Sequence, residues 1–218
     1  MRILSYTPIG DKIEAETIRA IVSQEGVQYV DHWFSNDNPY PVEGHTAYKN
    51  ISLNYEKMRD VVLQSGYKKV WIVEADVIPP TDALAKLLEV DAPIVSGIYG
   101  HRHGEPVPNL MRYGQPPIVG AAIGWNEIPG DKLFEVSGAG LGCILIDRSV
   151  LEGFHWDSSS TQFPDVPFMV YCYEQGIRQI ARTDVLCGHK KPTGEVIRPE
   201  PYIKRSRGGV RRCALATA

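Results

Sequence analysis

The sequence predicts an α/β fold: a mostly parallel central sheet with helices on both faces. Two observations carry that expectation. Over the first hundred residues, short apolar and β-branched runs alternate with segments of helical periodicity, the pattern of a doubly wound sheet. One of those runs, residues 69–74 (KVWIVE), is apolar almost without interruption, as a strand covered on both faces must be. The 218 residues, 43% apolar and 22% charged, suffice for one domain with its own core. No run reaches the roughly 20 apolar residues of a membrane span. Charges interrupt the N-terminus before a signal-peptide core could form, so a cytoplasmic chain is expected.

Taken in order, residues 2–9 form a β-branched run stopped by Pro8 and Gly10, a strand and its turn. In 12–24, Ile18, Ile21 and Val22 recur at helical spacing and Gly26 ends the helix. Residues 27–34 read as a second strand, broken by Asn36-Asp37-Asn38-Pro39. Tyr48, Ile51, Tyr55, Met58 and Val62 alternate three- and four-residue steps over 48–65, an amphipathic helix closed by Gly66. After the strand 69–74, Pro79-Pro80-Thr81-Asp82 opens a helix faced by Leu84, Leu87 and Leu88, and 93–98 is a fourth strand. The segment 99–130 is rich in Gly and Pro with little periodicity, a functional excursion rather than core. Strands resume at 133–137 and 143–146 around Gly138, Gly140 and Gly142, followed by a helix at 166–175 and a last strand at 178–184. Beyond Gly188, Pro, Gly and Arg are too frequent for core. The expected organisation is one domain, 1–189, and a basic tail, 190–218.

Cys143, Cys172, Cys187 and Cys213 form no C-x-x-C pair, and three lie in apolar runs, so they read as reduced packing residues rather than zinc ligands. The net charge of −3 hides an asymmetry. From Lys190 onward eight Lys/Arg face two Glu, a net +6, so residues 1–189 carry −9. Such a tail either meets an anion or is a solvated terminus.

The strongest chemical signal is Glu74-Ala75-Asp76, where the buried strand runs out before Pro79-Pro80. Open α/β sheets bind ligands at the carboxyl ends of their strands. Alternation along an extended chain aims residues i and i+2 to one side, and two convergent carboxylates suit a hard divalent cation bridging a diphosphate. The competing reading has Asp76 capping a turn and Glu74 paired with a lysine. Asp165 stands just before the helix 166–175, where a carboxylate can cap the N-terminus without being excluded from catalysis. His189 follows a strand and Gly188. His101-Arg102-His103-Gly104-Glu105-Pro106 follows Tyr99 on the ligand side of the sheet. With no second pair at zinc spacing, it is a ligand contact or an ordinary polar loop. There is no G-x-x-x-x-G-K-[ST], no G-x-G-x-x-G after the first strand and no G-x-S-x-G, so kinase-like, dinucleotide-redox and serine-hydrolase readings lose their main support.

In this order the motifs resemble nucleotide-sugar glycosyltransferases of the Rossmann-like GT-A fold, family-2-like and of bacterial or phage type. Glu74-Ala75-Asp76 resembles their acidic D-x-D, with Glu74 replacing the first aspartate. Tyr6-Thr7-Pro8 resembles the loop that cradles the nucleobase, and Lys49-Asn50 in the 48–65 helix the Arg-Asn pair of bacterial and phage members. Ser137-Gly138-Ala139-Gly140-Leu141-Gly142-Cys143, with Ile146-Asp147-Arg148, resembles the Gly-rich segment and strand near donor sugar and acceptor. Phe163-Pro164-Asp165-Val166-Pro167-Phe168 resembles the x-E-D helix start, and Cys187-Gly188-His189 the late G-H whose histidine joins the metal. The resemblance spans roughly residues 1–190.

It implies a single GT-A-like catalytic domain using Mn2+ or Mg2+ held by Asp76 and His189, the nitrogen ligand leaning towards manganese. Asp165 is then the catalytic base of an inverting transfer. Donor contacts are implied for Thr7, Pro8, Asn50, Glu74, Ala75, Asp76, Gly138, Lys190 and Lys191, and sugar or acceptor contacts for Tyr99, His101, Arg102 and Gly140. The implied partner is a nucleoside-diphosphate sugar. The acceptor would be a bacterial glycan or a modified base in phage DNA, the latter a nucleic-acid partner. Two alternatives stand beside this: a nucleotidyltransferase, which Tyr6-Thr7-Pro8-Ile9-Gly10-Asp11-Lys12 matches poorly, and a non-catalytic sugar-nucleotide-binding protein.

Overall fold

A computed structural model of the chain describes residues 1–36, 46–102, 107–112, 121–130, 132–200 and 202, and the strand backbone of 211–212. The first half contains β1 (Ile3–Pro8), α1 (Ala15–Val22), β2 (Val30–Ser35), α2 (Ala47–Gln64), β3 (Lys69–Val73), β4 (Val77–Ile78), α3 (Ala83–Leu88) and β5 (Ile94–Ile98). After β6 (Leu110–Met111) and a 3-10 turn (Trp125–Glu127) come β7 (Leu133–Val136), β8 (Gly138–Ala139) and β9 (Cys143–Asp147). The chain continues through α4 (Arg148–Glu152), α5 (Asp165–Glu174), β10 (Gln179–Leu186), β11 (Gly188–Lys190), β12 (Val196–Ile197) and β13 (Arg211–Arg212).

An eight-stranded sheet has the order β13-β7-β10-β5-β9-β3-β1-β2. β2, β1 and β3 are mutually parallel, as are β5 and β10. β9 runs antiparallel between β3 and β5, which leaves those two pointing the same way. β7 is antiparallel to β10, and β13 lies parallel to β7 at the edge. The carboxyl ends of β1, β3, β5 and β10 therefore share one rim of the sheet.

β3 shows why the sheet is doubly covered. Val70 and Ile72 pack with Tyr55, Met58 and Val62 of α2 and Phe168 and Cys172 of α5. The alternate residues Trp71 and Val73 pack on Ile21 of α1 and Leu84 and Leu87 of α3. Period-two alternation thus sends successive side chains into two apolar layers. Truncating fully buried Trp71 to alanine would cost about 3–5 kcal/mol. α2 is started by Thr46, whose hydroxyl accepts the Lys49 N–H at 3.2 Å.

Two expectations need correction. The segment 99–130 is not merely an excursion: Leu110, Ile123 and Ile128 are buried with Ile98, Phe134 and Val136 in a third apolar cluster. Nor does regular structure stop at Gly188. β11 pairs with β4 on one side and β12 on the other, and Ile197 of β12 is buried, so strand pairing crosses the 189/190 boundary. Cys143, Cys172 and Cys187 are buried free thiols; Cys213 and the sequence 103–106 lie outside the described residues. No described helix is long and apolar enough to cross a membrane.

Candidate active site

The shared rim collects the sequence-predicted groups: Glu74 and Asp76 follow β3, His189 follows β10, and Asp165 opens α5. At the end of β3 the Glu74 N–H donates to the Gly142 carbonyl at 3.0 Å, and the Val77 N–H closes back on the Glu74 carbonyl at 3.0 Å. Residues 74–76 are therefore a tight turn between β3 and β4, not the extended run assumed from alternation. The two carboxylates still lie near enough to act on each other's charge. Asp76 and Asp165 both raise the Glu74 pKa, after the larger effect of burial, and together they lift it to about 7. The Tyr55 hydroxyl donates to Glu74 Oε1 at 3.2 Å.

His189 reaches this turn through strand pairing: it lies opposite Val77 in the β4–β11 pair. Its Nε2 is 3.5 Å from Asp76 Oδ2, and its Nδ1 is 2.6 Å from the Gly100 carbonyl oxygen. A carbonyl only accepts, so Nδ1 carries a proton and Nε2 faces the carboxylate. The ring stands edge-on to Tyr99, centroids 5.2 Å apart. The Arg102 guanidinium pairs with the same Asp76 Oδ2. Burial pushes Asp76 up, but the hydrogen bond and charge of His189, with Arg102, outweigh it and hold Asp76 below the usual carboxylate range. Burial pushes His189 down, and Asp76 overrides that to raise it.

Asp165 opens α5, whose N-terminus lies at the same rim because α5 turns directly into β10. Its Oδ1 is buried and has no hydrogen-bond partner among the described residues. Burial raises its pKa, opposed by the N–H groups of Asp165 and Val166 and the charge of His101. Its charge also acts on Glu74 and Tyr99, so the proposed base, the acidic turn and the 99–102 segment share one site.

Other expected contacts sit differently. Tyr99 is 5% exposed and its hydroxyl accepts the Gly142 N–H at 2.9 Å. A Cβ on Gly142 would lie 2.6 Å from Tyr99 Cζ, one on Gly140 would strike the Tyr99 hydroxyl, and one on Gly138 would strike Met169. The Gly-rich run is glycine because Tyr99 and α5 pack on its backbone. Thr7 is buried at the end of β1, its hydroxyl without a partner among the described residues. Asn50 is buried in the first turn of α2, while Pro8 and Ala75 are half-buried and His101 is exposed. Lys190 follows His189 in β11, so alternation turns it to the opposite face, where it pairs with Glu14 at 3.4 Å. Lys191 pairs with Glu195 at 2.8 Å.

Two contributors escaped the sequence reading. Tyr55 looked like one more residue of an apolar helix stripe. Asn109, in an aperiodic segment, accepts the Tyr99 N–H at 3.0 Å through its side chain and the Gly140 N–H at 2.8 Å through its carbonyl; no sequence signal marks it.

Among the described residues no group of three or more His, Cys, Asp or Glu is gathered as a metal site. Asp76 Oδ2 and His189 Nε2 nevertheless fit two ligands of one ion: the 3.5 Å between them can be spanned by two bonds of about 2.1 Å. Magnesium-type sites commonly complete such a pair with substrate phosphates and water.

Among solved structures, A197 from STIV is similar over 95% of this chain and 99% of its own, with TM-score 0.60 and 18% identity. Residues 1–349 of S. aureus TarS in complex with UDP are similar over 84% of this chain and 58% of that one, with TM-score 0.51 and 10% identity. A longer S. aureus TarS structure gives TM-score 0.52 and 11% identity, the chain spanning 35% of its length. No protein-family model matches the sequence, and no curated protein does. The order of the sheet, its double helical cover and these superpositions give the chain the Rossmann-like GT-A fold.

Proposed function

We propose that the chain is a glycosyltransferase that moves a sugar from a nucleoside-diphosphate sugar to an acceptor hydroxyl with inversion. Asp165 carries the reading: a carboxylate with a buried oxygen that has no partner among the described residues, near enough to the acidic turn after β3 for its charge to raise Glu74. The UDP held by TarS in the same fold supports a nucleotide donor.

Breaking the anomeric C–O bond builds negative charge on the departing diphosphate and positive charge on the sugar. Asp76 and His189 are the residues that would hold Mn2+ or Mg2+, and such an ion, when bound, supplies Lewis-acid stabilisation of the leaving oxygens. The Gly100 carbonyl keeps the His189 proton on Nδ1 and leaves Nε2 able to ligate. Asp165 Oδ1 takes the proton of the acceptor hydroxyl as that oxygen attacks the anomeric carbon, and the bond's electron pair leaves with the diphosphate. Burial helps here, since a carboxylate with a raised pKa is a stronger base. Thr7, Pro8 and Asn50, at the ends of β1 and α2, would line the nucleotide side. Lys191 would exchange Glu195 for phosphate, whereas Lys190, turned to the opposite face towards Glu14, would stay outside the donor site. The −9 carried by residues 1–189 favours an uncharged glycan hydroxyl over a DNA base as acceptor.

Asp165→Asn tests the assignment. Turnover is expected to fall roughly 10²–10⁴-fold with donor affinity unchanged. A collapse of donor affinity at an intact turnover number would make Asp165 a donor-binding or structural residue.

A further inference from the structure

We infer that Arg102 is the resident cation of the acidic turn: in the ligand-free chain its guanidinium holds the charge position on Asp76 Oδ2, and it must leave before a divalent ion can occupy it. The inference rests on the metal-dependent reading above and adds a competitor built into the chain.

The geometry centres on one oxygen. Arg102 Nη1 contacts Asp76 Oδ2, and His189 Nε2 faces the same atom at 3.5 Å. An ion bound by Asp76 and His189 would sit against that oxygen, and two cations crowded there repel each other. The three side chains are graded in exposure, 8% for His189, 27% for Asp76 and 41% for Arg102. An ion arriving from solvent therefore meets the guanidinium first.

Electrostatics explains why a cation belongs there. Glu74, Asp76 and Asp165 bring three carboxyl groups near one another, and the charges of Asp76 and Asp165 raise the cost of ionising Glu74. Partly buried carboxylates of this kind need a neutralising partner. Arg102 supplies it until a ligand does.

The segment is anchored by the Gly100 carbonyl on His189 Nδ1 and by the His101 N–H on the Val107 carbonyl at 2.8 Å. A rotamer change of a long side chain can free Asp76 while both anchors, and so the His189 ring, stay in place. The freed guanidinium remains within side-chain reach of the rim, where a donor's phosphate oxygens are the natural replacement anion.

The test is a Mn2+ titration without nucleotide, following the free-ion EPR signal, on the wild type, Arg102→Gln and Arg102→Lys. Arg102→Gln is expected to bind Mn2+ about fivefold more tightly, the change equivalent to the roughly 1 kcal/mol of a partly exposed ion pair. Arg102→Lys keeps the charge and is expected to stay near the wild type. Circular dichroism checks that all three are folded, which the exposure of Arg102 leads us to expect. Equal or weaker binding by Arg102→Gln, with Mn2+ bound by the wild type, would overturn the inference alone. Failure of all three proteins to bind Mn2+ would overturn it together with the metal-dependent reading.

Discussion

Glu74→Gln in the metal-free protein is expected to raise stability at pH 8 and leave it nearly unchanged at pH 4. The Glu74 carboxyl stands at about 7 against an ordinary 4.5, chiefly through burial and then through Asp76 and Asp165. A carboxyl raised in the folded state binds its proton more tightly there than in the unfolded chain. The stability it contributes is full below pH 4.5 and is lost as pH rises through 7. The full difference corresponds to about 3–4 kcal/mol, at roughly 1.4 kcal/mol per pH unit. Glu74 is only half-buried, so solvent relieves part of this and about 1–3 kcal/mol is expected. Glutamine keeps the shape and an acceptor for the Tyr55 hydroxyl but cannot ionise. Urea denaturation of both proteins in chelator, at intervals from pH 4 to pH 8, measures the effect. Curves that stay parallel across this range, or a variant less stable than the wild type at pH 8, would refute the electrostatic argument.

Gly142→Ala places a Cβ 2.6 Å from Tyr99 Cζ and removes room the Gly-rich run needs; a loss of about 1–3 kcal/mol is expected, measured by denaturation. Ending the chain at Tyr202 removes Lys204, Arg205, Arg207, Arg211 and Arg212 but spares β11 and β12. Donor binding is expected to weaken with little change in melting temperature, whereas ending it at His189 also strips buried Ile197 and should cost about 2 kcal/mol or more. Unchanged donor affinity in the longer truncation product would remove the basic tail from donor binding.

The parts of the fold that were legible in the sequence are those whose neighbours impose a repeating pattern. β3 is apolar from Val70 to Val73 because α2 and α5 cover one face and α1 and α3 the other, and α2 carries its stripe over 18 residues. α4 spans five residues, too few to show a helical period. β4, β11 and β12 are two or three residues long and exist through pairings such as Val77 with His189, which no local pattern announces. Leu110, Ile123 and Ile128 are isolated apolar residues among Gly and Pro, so their shared cluster was invisible. Glu74, Asp76, Asp165 and His189 stood out as candidates because each lies at or next to a boundary between elements on the ligand rim. The Arg102–Asp76 pair joins residues far apart in sequence, and the Tyr55 hydroxyl sits on a helix stripe that reads as apolar. Strand alternation, which the tail's composition concealed, turns Lys190 towards Glu14.

The most direct measurement of the central claim is release of nucleoside diphosphate from a panel of UDP-, GDP- and dTDP-sugars by the wild-type protein, with Mn2+ and with excess chelator. Slow donor hydrolysis by water is expected even without an acceptor, confined to one nucleotide class, dependent on Mn2+ and abolished by chelator. Absence of release from every donor, together with no thermal stabilisation by any of them in the presence of Mn2+, would contradict a sugar-transferring site at the Asp76–His189 rim.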